Sequence, residues 1–161
     1  MDTESYLEVS NLDRAGKREE AFKLLLKLAD ERHPLALVEL SSRYFSTEGY
    51  SPPVYPLEPD REKSETLAKE GERELRRLAE AQDGEAMRML GYLHLSLLCP
   101  FPKNVDEAKR WLHRAYEAGC YFAANDLHTY YLGSDMEKAR YWYREAEKHN
   151  CRVVFNEQCE P

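Results

Sequence analysis

A twelve-residue stretch of this chain returns 31 positions later: Asn104 to Ala115 is echoed by Asp135 to Ala146. Ala108, Trp111 and Ala115 map onto Ala139, Trp142 and Ala146. The spacing i, i+3, i+7 places each triplet on one face of an α-helix. A period of this size means stacked supersecondary units, each burying its apolar face against the next.

A second set of triplets alternates with the first. Ala36, Leu40 and Tyr44, then Ala86, Leu90 and His94, then Ala123, Leu127 and Tyr131 share the spacing i, i+4, i+8. They mark the first helix of each unit, as the Trp-bearing triplets mark the second. Leu28 to Ala36, Leu78 to Ala86 and Ala115 to Ala123 are all eight residues apart, so one turn length joins successive units. Ala21, Leu24 and Leu28 continue the second-helix pattern. Gly71, Glu74 and Leu78 fit it poorly, which predicts different packing there, through Leu67, Leu75 and Leu78. Helices are predicted over 3–14, 17–31, 35–47, 60–82, 84–98, 104–118, 121–132 and 135–149. The fold class is all-α, with about four antiparallel pairs. Ser134 with Glu137 predicts a capping box, and Asn104 with Glu107 imitates one. Gly119, Gly133 and Asn150 stand where C-terminal caps belong.

The 161 residues are expected to form one repeat domain, with units at about 1–33, 34–83, 84–120 and 121–150 and a C-terminal cap over 151–161. Arg152 to Phe155 are apolar enough to cover the last helix pair. A net charge of −7 argues against nucleic acid, whose binding needs a basic footprint. It makes a basic protein partner more plausible, the alternative being that a modest negative charge simply maintains solubility. The acidic beginning lacks a signal-peptide pattern, and no apolar run is long enough to span a bilayer. Cys99, Cys120, Cys151 and Cys159 show no paired spacing. A cytoplasmic location with four free thiols is expected.

Connections inside the units differ in length. Tyr131 to Ala139 is short, and His94 to Ala108 is six residues longer. The connection after Tyr44 is longer still. It carries four prolines and two tyrosines over 49–59, Tyr55 among them. Long loops of repeat proteins often lie on the binding face. Covering an exposed end of the core is the equal alternative.

These residues resemble the Sel-like repeats, a branch of the tetratricopeptide-like family. Ala86, Leu90 and Gly91 match the first half of the family pattern, with His94 in place of its tyrosine. Glu137 to Ala146 is close to the second half. The likeness is strong over 84–149 and weaker over 34–83. The resemblance implies a right-handed α-solenoid that serves as an adaptor or scaffold, with first helices lining a concave partner-binding face.

No phosphate loop, nucleophile elbow or zinc spacing is present, so no catalytic, metal or cofactor residue is assigned. His94 stands at a core anchor and reads as a structural histidine. The projected groove residues are Val38, Ser42, Phe45, Arg88, Tyr92, Leu95, Asn125 and Thr129, with Tyr55 from the loop. Their unevenness suits one shape-matched partner. By family analogy, the favoured expectation is a small bacterial immunity or inhibitor protein that neutralises a toxin, a basic toxin or effector being the partner. The alternative is a general adaptor binding peptides or several partners. An enzyme or small-molecule sensor is the third and weakest reading. Oligomeric state is not encoded in any motif.

Overall fold

The computed structural model describes residues 1–45, 57–95 and 101–151. Among them the regular structure is eight helices and no strand. They are α1 (Glu4–Arg14), α2 (Arg18–Asp30), α3 (Pro34–Tyr44), α4 (Arg61–Glu80), α5 (Gly84–Leu95), α6 (Val105–Glu117), α7 (Ala123–Tyr131) and α8 (Met136–Lys148). Each predicted helix is present, with ends within three residues of those expected. The segments 46–56, 96–100 and 152–161, including Tyr55 and most of the terminal cap, lie outside the described residues. The helices belong to two compact units. One is drawn mainly from Met1–Arg77, the other from Leu78–Leu95 and the residues from Lys103 onward.

One device ends α1, α2, α4, α6 and α8. Beyond each helix a residue takes a positive φ: Gly16 at 76°, Arg32 at 60°, Gln82 at 64°, Gly119 at 89° and Asn150 at 54°. The next N–H then turns back to a carbonyl of the last turn. His33 donates to Leu28, Asp83 to Leu78, Cys120 to Ala115 and Cys151 to Ala146, at 2.8–3.1 Å. This is the double hydrogen-bond closure that satisfies orphan helix carbonyls. It also explains the constant spacing of eight, because the same turn restarts the chain at the same angle. Gly133, expected to cap α7, is not in the left-handed region.

The turns inside the units share a second device. The N–H groups of Asp60, Asn104 and Asp135 donate to the carbonyls of Tyr44, His94 and Tyr131 at 3.1, 3.0 and 2.9 Å. The same three side chains accept from the N–H groups of Lys63, Glu107 and Lys138. The predicted box at Ser134 is therefore corrected by one residue. Asp135 caps α8, because its carboxylate reaches the Lys138 N–H at 3.1 Å.

The first-helix anchors Ala36, Leu40, Tyr44, Ala86, Leu90, His94, Ala123, Leu127 and Tyr131 are all buried. On α2, α4 and α6 the deepest large side chain is one place beyond the Trp slot. Leu25, Leu75 and Leu112 are fully enclosed. Trp111 is only half-buried, whereas Trp142 and Tyr143 are both buried. The Trp slot is thus buried in α8 and a rim position in α2, α4 and α6. That is why Glu74 fits there, its carboxylate 2.9 Å from the Arg77 guanidinium.

The unit expected to pack differently does so with Leu75 fully enclosed and Leu67 packed against the core, and its second helix is the long one expected. α4 has 20 residues, against 13 in α2, α6 and α8. Seven extra residues make nearly two turns, so both ends of α4 keep the buried stripe on one face. Counted from the Asp60 cap, Ser64 and Gly71 occupy the places of Ala108 and Ala115. Counted from its C-terminal turn, Gly71 takes the place of Ala108. A Cβ on Gly71 would stand 2.9 Å from the Val38 side chain, so α3 and α4 meet closely there.

Candidate functional site

Within the second unit, α5 and α7 present a face where a charged pair lies among exposed rings. Arg88 and Tyr92 are one turn apart on α5, and Phe122 and Asp126 are one turn apart around the start of α7, so each pair shares a side. Arg88 Nε donates to Asp126 Oδ2 at 2.6 Å, and a second guanidinium nitrogen lies 3.4 Å from Oδ1. Arg88 Cζ sits 5.7 Å from the centre of the Phe122 ring. The Phe122 and Tyr92 rings remain 43% and 53% exposed.

Glu85, in the first turn of α5, completes the cluster. One carboxylate oxygen lies 3.7 Å from Arg88, and the other accepts from the Cys120 thiol at 3.2 Å. Burial, followed by the Glu85 carboxylate, pushes the Cys120 thiol up to about 12, so it stays protonated as a donor. Burial pulls the Arg88 guanidinium down. The hydrogen bond and charge of Asp126 outweigh it and hold the group protonated, above its ordinary value. A half-buried, hydrogen-bonded pair of this kind is a fixed feature of the face rather than a mobile surface contact.

The other expected groove residues divide. Thr129 is exposed on α7, and Leu95 is half-buried at the end of α5. Asn125 is buried and donates its side-chain amide to the Cys151 carbonyl, so it is a structural tie and not a presented contact. In the first unit Val38 is buried against α4. Ser42 is half-buried and donates to the Val38 carbonyl at 3.1 Å, while Phe45 is half-buried just past α3. The described residues of the first unit therefore offer little of the expected surface. Sequence reasoning missed Glu85, Phe122 and Asp126. Phe122 precedes the Ala123–Ala124 pair, and because both alanines point inward, the neighbouring ring is left outside.

His94 is buried, with Nε2 3.6 Å from Glu107 Oε1, and belongs to the core of α5 and α6. Cys120 and Cys151 are unbridged, and Cys99 and Cys159 lie outside the described residues. Among the described residues no cluster of three or more His, Cys, Asp or Glu side chains is placed to hold a metal ion. No described helix is long and apolar enough to cross a membrane.

The family model described as Sel1 repeat matches residues 15–33, 84–120 and 123–151, together just over half of the chain. The matched segments carry α2, then α5 with α6, then α7 with α8. No curated protein and no solved structure matches the chain.

Proposed function

Because the chain belongs to the Sel1 repeat family, whose repeats suggest a role in protein–protein interaction, we propose that it binds one dedicated protein partner through α5 and α7. The observation that carries this reading is the Arg88–Asp126 pair, with the exposed Phe122 ring beside it and the exposed Tyr92 one turn on along α5. Interface hot spots are enriched in aromatic and arginine side chains, and a charge pair already fixed in place loses little freedom on docking. The net charge of −7 steers a basic partner toward the chain. The specific role we propose is that of an inhibitor or immunity protein, which occludes a basic toxin or effector by covering its working surface.

Affinity capture from the native host tests this, with the wild-type chain beside Tyr92→Ala and Phe122→Ala. Both rings are largely exposed, so neither change should lower thermal stability much. One stoichiometric basic partner, lost with either variant, is the expected result. A partner retained by both variants would remove α5 and α7 as the docking face. Many substoichiometric partners would turn the reading to a general adaptor.

A further inference from the structure

Glu85 has acceptor capacity that the rest of the face leaves unused. Asp126 is satisfied by Arg88, at 2.6 and 3.4 Å. Glu85 has a thiol on one oxygen, and thiols are weak donors. Its other oxygen stands 3.7 Å from Arg88, too far for a hydrogen bond. The side chain is 39% exposed. Two carboxylates therefore share the Arg88 guanidinium, whose Cζ lies 5.7 Å from the centre of the exposed Phe122 ring, and the cluster carries a residual negative charge. The proposed docking face thus has a place for one more cation.

We infer, resting on that reading, that Glu85 with Phe122 seats an arginine side chain of the partner. Its guanidinium would bond the Glu85 oxygen that has no hydrogen-bonded donor and lie against the Phe122 ring. Arginine fits better than lysine. Its planar fork matches a carboxylate and stacks on an aromatic face, whereas an ammonium is a compact and strongly hydrated point charge. The arrangement would repeat, across the interface, what Arg88 already does with Asp126 and the same ring.

The test is an NMR titration of the full chain with two probes, the capped tripeptides Gly-Arg-Gly and Gly-Lys-Gly. The arginine probe should give saturable shifts confined to Glu85, Cys120 and Phe122, and the lysine probe weaker ones. Glu85→Gln, which keeps an acceptor for Cys120, should weaken the arginine probe about tenfold. Phe122→Leu should weaken it about two- to fivefold. Equal response to both probes, shifts spread over all acidic residues, no saturable shift, or an unchanged response in Glu85→Gln would each overturn the inference. The captured partner separates it from the broader reading. If Tyr92→Ala abolishes capture and Glu85→Gln does not, the docking face stands and the arginine seat falls. If the arginine probe saturates but both Tyr92→Ala and Phe122→Ala leave capture intact, the docking face falls, and the site takes an arginine without being the partner's seat.

Discussion

The pairs α5–α6 and α7–α8 fill equivalent places with different chemistry. After the core leucine of the first helix, one pair has Gly91 and the other His128. Opposite stand Leu112 and Tyr143. A Cβ on Gly91 would lie 2.6 Å from the Leu112 side chain and 3.1 Å from the Ala108 carbonyl. His128 instead uses the matching carbonyl, that of Ala139, as a hydrogen-bond partner at 2.9 Å, and its ring centre lies 5.5 Å from that of Tyr143. The last anchor of the first helix changes together with its neighbour across the turn. Tyr131 has the Lys138 ammonium over its ring at 5.4 Å, as Tyr44 has Lys63 at 4.4 Å, whereas His94 faces Glu107. The backbone closures are the same in both pairs. The fold therefore fixes the turns and the small-residue anchors, and lets the rest of each slot change as matched sets.

Truncations in the α5–α6 pair test that division most strongly. Leu112→Ala should cost about 2–5 kcal/mol, as removal of a fully enclosed side chain. Trp111→Ala should cost less, although it removes a larger group, because the indole sits at the rim. Thermal unfolding with the reverse ranking would break the assignment of core and rim. Next comes Gly91→Ala, expected to cost about 1–3 kcal/mol through overpacking. The double variant with Leu112→Ala should cost less than the two changes summed, because both act on one contact. Strict additivity in denaturant melts would contradict the close approach.

The two glycine turns sharpen the contrast further. Gly119→Ala forces a side chain into a φ of 89° and should cost about 1–2 kcal/mol. Gly133 has no positive φ and open space where a Cβ would go, so Gly133→Ala should change stability by less than about 0.5 kcal/mol.

The smallest effect separates the two N-terminal caps. Hydrogen bonds from Lys138, side chain first and backbone second, hold the Asp135 carboxyl below its ordinary value of 3.8. A lowered folded-state value means that its contribution is present above the unfolded-state value and is lost as pH falls through the folded one. Hydrogen exchange at the start of α8 should thus accelerate below about pH 3.8 relative to the start of α6, where Asn104 cannot titrate. Equal acceleration at both ends would show that the cap carboxylate contributes nothing specific.

The helix pattern was legible because it rests on local signals. Ala at the anchors, the spacing of eight, and polar caps such as Asn104 each act within a few residues. The deep slot was misjudged because Trp111 and Leu112 are both apolar and adjacent, and size alone favours the wrong one. Ser134 and Asp135 are both good capping residues and both donate their N–H groups to the Tyr131 carbonyl; what selects between them is the Asp135 carboxylate reaching the Lys138 N–H. The length of α4 was legible over 60–82, because an insertion of seven residues leaves the periodicity intact; what the pattern alone did not give is that Gly71 fills two anchor places. On the candidate face Arg88 and Tyr92 could be projected from α5 alone. Glu85 lies one turn before Arg88 on the same helix, whereas Phe122 and Asp126 join through contacts with Arg88 34 and 38 residues away in sequence, which no local pattern encodes.

Hydroxyl-radical footprinting of the chain with its captured partner tests the docking face most directly. Tyr92 and Phe122 should lose reactivity on binding, while Tyr141 and Met136, exposed on α8, keep theirs. Protection of Tyr141 and Met136 with Tyr92 and Phe122 unchanged would contradict the account.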